Sequence, residues 1–506
     1  MGSSGGAALQ ALHHTSACKA RAIRPRRECG GAHRVRPHAR AAALREAISA
    51  RGAGVFLAVP RGMKAVLLSA APTLHASMNE LEAVLHAELA RTGYAEAPTF
   101  HLATMKLAFC QGELDCWLKT PGCCKTEDAE AEIVAAVHGA DAIVLLGPVT
   151  FGGHGYVLKR ALDRLICLVE PFFEKRRSLT HHPPRYLRPP SFFSVGWLPE
   201  PDAALTRTFV DLNDANALNM SAPACGALVL SAAHRNEWAG AIGVMLEAAR
   251  PPGAGIAGRE PLREALFATA APDANAWEPA RVGRAAILVG SAKPKGTSAS
   301  EALARAFAKR LEGAGVATDL HFATEFVHED EQALARAGAI AASDLFLLVT
   351  PLYVDSLPAL ATHALELVAR SRSASRVPAR FVALVQCGFP EAEQNRTALR
   401  ITRHFAEQAG YSWGGALALG AGGAVAPGAM LDEASGPVAH VVRALDTAAP
   451  ALSAGRPLPP EAIAEMARAP IPDALYRRMG DLGFRWQAHK NGLPQSALHA
   501  RPLDER

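Results

Sequence analysis

No apolar run in these 506 residues reaches the roughly 18 that a membrane-crossing helix requires, so a soluble, cytoplasmic chain with no membrane partner is expected. A basic face for nucleic acid is missing as well. The formal charge is +5, but residues 1–62 hold eleven Lys or Arg against two Glu, a surplus of +9 that leaves the remainder at −4. No spacing assembles Ser, His and Asp into a hydrolytic triad. The nine cysteines are odd in number and uneven in placement, with four between 110 and 124, which excludes a secreted disulfide framework and directs attention to metal or redox chemistry. Residues 1–62 also lack a sustained helical or strand period; they read as a disordered basic extension, as translation from a start upstream of Met63, or as an Arg-rich targeting segment.

What is present is one plan written twice. Lys64-Ala-Val-Leu-Leu-Ser69 leads through a loop to Ser77-Met-Asn79, and Arg284-Ala-Ala-Ile-Leu-Val-Gly290 leads to Ser298-Ala-Ser300, at an offset of 221. Asp141-Ala-Ile-Val-Leu-Leu-Gly-Pro148 matches Asp344-Leu-Phe-Leu-Leu-Val-Thr-Pro351 at an offset of 203. The first copy therefore carries 18 extra residues, and they fall at the cysteine cluster.

Short apolar runs alternate with amphipathic stretches in both copies, the pattern of a parallel sheet covered on two faces. Strands are predicted near 64–69, 99–104, 141–146, 191–197 and 226–231, then near 284–290, 316–322, 344–350, 379–386 and 414–420. The fold class is α/β: two tandem flavodoxin-like domains, each a five-stranded parallel sheet with helices on both faces and a ligand crevice at the strands' carboxyl ends. Boundaries are expected at 63–250, with a linker over 251–283, then 284–425, and helices and an arm over 426–506. The Pro-rich stretch 171–190 suits a lid or a docking segment.

Two kinds of loop are candidates for a nucleotide. Gly290-Ser291-Ala-Lys293-Pro-Lys295-Gly-Thr297-Ser298-Ala-Ser300 joins a strand to a helix start, where backbone amides favour a phosphate. This loop is neither a Walker A sequence nor a Rossmann fingerprint, so a mononucleotide phosphate suits it best; a plain capped loop is the alternative. Its counterpart Ser69 to Asn79 lacks both lysines, and helix capping explains Ser77 and Asn79 equally well. Pro148-Val149-Thr150-Phe151-Gly152-Gly153 and Pro351-Leu352-Tyr353-Val354-Asp355-Ser356 follow the third strands. Each offers small residues and an aromatic to a planar ring, or else forms a turn whose aromatic enters the core.

Together with Cys116-Trp-Leu-Lys-Thr-Pro-Gly-Cys-Cys124, Leu158-Lys-Arg-Ala-Leu-Asp-Arg164 and Cys387-Gly388-Phe-Pro-Glu391, these loops resemble the flavodoxin-like NAD(P)H-dependent FMN reductases and their iron–sulfur flavoprotein branch, over residues 63 to 425. The resemblance implies FMN, with its phosphate in the first loops and its isoalloxazine at the Pro-aromatic loops, and NAD(P)H as co-substrate. It implies two-electron transfer to a small-molecule acceptor such as a quinone, a flavin or an electrophilic organic molecule, and a homodimer. Cys387 and Gly388 would form a third wall. Where the branch carries a second cysteine this chain has Glu113, so an iron–sulfur cluster is not expected; Cys110, Cys116 and Cys124 remain candidate redox thiols, with Lys119 placed to lower a thiol pKa. Two other classes stay open: an electron carrier without nicotinamide turnover, and a flavin-free scaffold.

Overall fold

The computed structural model describes residues 62–72, 75–95, 98–254, 256, 258–273, 280–373 and 378–505; residues 1–61, most of the expected basic extension, lie outside the described residues. In the first half, β1 (Met63–Ser69), α1 (Ala76–Arg91), β2 (Thr99–His101), α2 (Glu130–His138), β3 (Ala142–Thr150), α3 (Tyr156–Leu162), β4 (Ser191–Leu198), α4 (Ala203–Asn219), β5 (Cys225–Ser231) and α5 (Trp238–Glu247) follow one another. After α6 (Arg259–Ala270) the second half runs through β6 (Arg284–Val289), α7 (Ala299–Gly313), β7 (Ala317–Phe322), α8 (Glu331–Ala341), β8 (Leu345–Pro351), α9 (Ala359–Ser373), β9 (Arg380–Gln386), α10 (Arg396–Gln408) and β10 (Ser412–Leu419). Helices α11 (Ala439–Ser453), α12 (Pro460–Met466) and α13 (Asp473–Lys490) complete the chain.

The sheet orders are β2-β1-β3-β4-β5 and β7-β6-β8-β9-β10, all parallel, which is the doubly wound 2-1-3-4-5 arrangement the duplication predicts. The reason is visible in the strands. Leu345-Phe-Leu-Leu-Val and Ala285-Ala-Ile-Leu-Val are buried on both faces, so neither face can be left to water. The stretch 251–283, expected as a linker, contains α6, whose Leu266 and Ala270 are buried in the second half's core. Leu262, Leu266 and Ala270 recur at helical spacing, a short signal that the surrounding Pro and Gly obscure. Helix α3 is followed directly by a 3-10 turn over Asp163–Leu168.

A pseudo-two-fold joins the halves. Asp163 Oδ2 accepts from the amide of Ala359, the first residue of α9, at 2.8 Å, and Glu366 Oε1 accepts from the amide of Tyr156, the first residue of α3, at 3.1 Å. The stretch 171–190 is a small hairpin, Glu174–Arg176 with Leu179–His181, that docks on the second half through Thr180 and Lys175, both bonded to the buried Glu391. The C-terminal arm returns to the first half, where the fully buried Arg185 donates to the carbonyls of Leu498 and Ala500 at 3.0 and 2.8 Å. Among the described residues no helix is long and apolar enough to cross a membrane.

Candidate cofactor site

In each half β1 and β3, or β6 and β8, are paired neighbours that end side by side, so the loops that follow them meet at one edge of the sheet. The loops that follow β3 and β8 have the same shape. Thr150 pairs with Gly153 around Phe151 and Gly152 (φ 53° and 81°), and Tyr353 pairs with Ser356 around Val354 and Asp355 (φ 46° and 55°). Two successive left-handed residues make a tight primed turn, a conformation that costs a β-branched Val more than a Gly. The surroundings of the two turns differ.

In the first half the turn is filled from the other domain. Phe151 enters the second half's core edge-on to Phe405, with centroids 5.2 Å apart. Gly152 lies against Thr208 and His404, Gly153 against Ile401, and Val149 is covered by Leu205 and Phe209 of α4. The nearby phosphate loop is equally committed. The buried Ser69 hydroxyl donates to Glu82 Oε2 at 2.5 Å, which brings a carboxylate to the place an anion would take. His75, and neither Ser77 nor Asn79, caps α1 by accepting from the Met78 amide, and its ring meets Trp197 at 4.5 Å across the mouth between β1 and β4. Ser77 is half-buried on the first turn and Asn79 is exposed. Among the described residues of this loop the place beside Ser69 is taken by a carboxylate, which does not suit an FMN phosphate.

The second half keeps its donors. Ser298 caps α7, its hydroxyl accepting from the Glu301 amide at 3.1 Å. The amides of Ser298, Ala299 and Ser300 find no acceptor among the described residues, as at any helix start, and so can meet an anion. Ser291 and Ser300 are buried beside them, and the Ser300 hydroxyl meets the Gln386 amide at 3.4 Å. Lys293 is half-exposed at the rim with no carboxylate within ion-pair distance among the described residues, whereas Lys295 is held by Glu325 at 2.9 Å. Thr297 is exposed and donates to the Pro294 carbonyl, and Gly296 donates to Glu301, so these two are loop-forming. On the ring side Pro351 is buried while Leu352, Tyr353 and Val354 are half-exposed. Asp355 and Ser356 are buried; Asn216 reaches the Val354 carbonyl at 2.9 Å and Asp355 at 3.3 Å. Gly388 is open on its Cα side, and Cys387 beneath it is buried against the Phe389 and Glu391 carbonyls and Asn395, with burial pushing its thiol pKa up. This set fits an FMN phosphate at α7 and a planar ring between Tyr353 and Gly388.

The cysteine segment of the first half flanks this second crevice. Phe109 packs on Ala292 of the phosphate loop, and Gly112 (φ 68°) lies so close to the Tyr353 hydroxyl that an added methyl would overlap it. Lys159 donates to the Tyr353 carbonyl at 2.8 Å and pairs with Asp163, both nearly fully buried. Behind the segment, Cys110, Cys116, Cys124 and Cys167 line one closed cavity of about 20 Å³, room for a single water. Cys167 is the member sequence reasoning missed: it stands 43 residues beyond Cys124, on the 3-10 turn that follows α3. Burial pushes the Cys110 thiol up to about 12 and pushes the thiols of Cys116 and Cys167 up as well. The cation that touches a thiol is Arg164, whose Nη2 lies 3.3 Å from Cys124 Sγ while Nη1 binds Asp128. Lys119, expected in that role, is exposed and pairs with Asp115 at 3.1 Å. Among the described residues no three His, Cys, Asp or Glu side chains are arranged to hold a metal ion.

A family model described as NADPH-dependent FMN reductase matches residues 63–183 and again 284–424, just over half of the chain. A search of curated proteins returned no match. Among solved structures, the NAD(P)H:quinone oxidoreductase from Methanothermobacter marburgensis is 17% identical, over 34% of this chain and 100% of its own, with a TM-score of 0.26. The FMN-dependent NADH-azoreductase from Bacillus anthracis is 8% identical over 34% and 99%, with a TM-score of 0.26. The flavoenzyme NAD(P)H:(acceptor) oxidoreductase FerB from Paracoccus denitrificans is 18% identical over 26% and 75%, with a TM-score of 0.22.

Proposed function

The chain belongs to the NADPH-dependent FMN reductase family and is an oxidoreductase, and we propose that it holds one FMN, in the crevice of its second half, to carry two electrons from NAD(P)H to a quinone. The observation that carries this reading is the contrast at the two helix starts. The α7 loop brings Lys293, Ser298 and Ser300 to its first-turn amides, while in the first half the loop has no lysine and its Ser69 is bonded to the Glu82 carboxylate. The first half then serves as the partner that completes the site, through Phe109, Gly112 and Lys159. A pairing that separate flavodoxin-like chains would make between two molecules is made here within one, so the site does not depend on the expected homodimer.

FMN supplies the hydride chemistry when bound; the residues supply placement. Ser298, Ser300 and Lys293 would hold the phosphate, and the Tyr353 turn would lie against the ring. Lys159 fixes that turn by its bond to the Tyr353 carbonyl, and the Phe109 segment keeps water from one edge. A quinone gains two electrons and two protons, one hydride coming from NAD(P)H and one proton from solvent.

The test is anaerobic NAD(P)H oxidation with a water-soluble benzoquinone. Sustained turnover supports the enzyme. Flavin that NAD(P)H cannot reduce, but that a reduced protein partner can, favours the electron-carrier reading instead.

A further inference from the structure

Helix α13 is amphipathic in an unusual sense. Its inner face is used: Tyr476 donates to the Gly388 carbonyl at 3.0 Å, Phe484 meets Trp117 with centroids 6.0 Å apart, Ala488 is fully buried, and Gly480 lets Phe173 approach closer than any side chain would allow. Its outer face is not polar. Leu475, Met479, Leu482 and Trp486, spaced four, three and four residues apart, are 49, 56, 67 and 63% exposed and form one stripe along the helix.

The exposed charges that the helix itself carries have one sign. Both acidic residues of the helix turn inward, Asp473 to Lys175 and Arg259 and Asp481 to the Phe173 amide. The exposed positions flanking the stripe carry Arg478, His489 and Lys490, and Lys490 lies over the Trp486 ring at 5.4 Å. A second copy of the helix is a poor occupant. A two-fold pairing centred on Met479 and Leu482 would bring two Arg478 side chains within about a turn and a half of each other with no acidic residue on the exposed face of either helix. An apolar strip edged by cations and bearing a Trp matches the headgroup zone of an anionic bilayer.

We propose that α13 is a membrane-surface helix, which lies in the interface plane of an anionic bilayer with Leu475, Met479, Leu482 and Trp486 among the acyl chains. The helix does not span; it lies on the surface. Because Tyr476 on its inner side caps the Gly388 loop, docking would set the crevice of the second half at the bilayer surface. On the FMN reading above, and resting on it, the acceptor would then be a lipid-dissolved quinone.

The full-length protein, mixed with vesicles of phosphatidylcholine alone and with phosphatidylcholine plus phosphatidylglycerol, tests this by co-sedimentation, with no turnover required. Binding to the anionic vesicles is expected, and Leu482→Glu and Met479→Glu, each checked for unchanged circular dichroism, should weaken partitioning at least about tenfold. Binding that survives both substitutions and vanishes in high salt would come from the basic N-terminal residues and would overturn the proposal. A doubled mass in light scattering without vesicles, abolished by Leu482→Glu, would make a second copy the occupant and overturn it too. Vesicle binding without quinone turnover would leave α13 as the membrane contact and remove only the FMN reading.

Discussion

Asp163 and Glu366 stand in equivalent places in the two halves, and each carboxylate accepts the first amide of the other half's helix, at 2.8 Å from Ala359 and 3.1 Å from Tyr156. Both lie at the offset of 203 that relates the loops after β3 and β8. The reciprocity makes the chain its own dimer. The two carboxylates have diverged in one respect: Asp163 pairs directly with the buried Lys159, whereas the positive charge that acts on Glu366 is that of Arg370.

That difference sets a pH dependence. Burial pushes Glu366 up to about 7 from an ordinary 4.5, against the pull of the Tyr156 amide. A raised carboxyl pKa means the folded chain keeps a proton that the unfolded chain has released. The stabilisation is therefore complete below about pH 4.5 and is lost as pH rises through about 7. Glu366→Gln keeps an acceptor for Tyr156 and cannot ionise. Denaturant titrations should show the variant gaining on the wild type between pH 5 and 8, by about 2–3 kcal/mol at the upper end.

At the equivalent place, Asp163→Ala strands the Lys159 ammonium in the interface and removes the Ala359 acceptor. A loss of about 3–5 kcal/mol is expected in chemical denaturation. Asp163→Ala with Lys159→Met should recover part of it, because no buried charge is then left unpaired.

The Gly112 contact tests whether the first half contributes to the second crevice. Gly112→Ala places a methyl on the Tyr353 hydroxyl at a left-handed φ of 68°, so the segment or the tyrosine must move. Flavin affinity should fall by roughly tenfold or more, read by fluorescence on FMN titration, with thermal stability lowered by a few degrees.

The thiol cavity should be chemically quiet. With Cys110, Cys116 and Cys167 held protonated by burial, alkylation of the native protein with iodoacetamide at pH 7.5 is expected to be slow at these three and to accelerate on unfolding, measured by mass spectrometry of peptides.

Much of the architecture was legible in the residues. The alternation of apolar runs with amphipathic stretches predicted two flavodoxin-like sheets, because buried parallel strands must be apolar throughout and Val, Ile and Leu runs mark them in any context. The loops at Ser291–Ser300 and Pro351–Ser356 also stand at the predicted ends of their strands. What depended on contacts between distant residues was not legible. Cys167 reads as one apolar residue on a helix until the 3-10 turn carries it to the cavity of Cys110, Cys116 and Cys124. Phe151 and Tyr353 align closely, yet Phe151 sits in the opposite half's core and Tyr353 lies beneath the cysteine segment. Glu82 is an ordinary helix residue in sequence; only the fold brings its carboxylate to Ser69.

Flavin content per chain tests the central claim most directly. Purified protein saturated with FMN, freed of excess and measured by visible absorption against peptide concentration, should hold one FMN, lost in Lys293→Ala/Ser298→Ala and kept in Ser69→Ala. Two FMN per chain, or one that survives the Lys293 and Ser298 substitutions and disappears with Ser69→Ala, would contradict it.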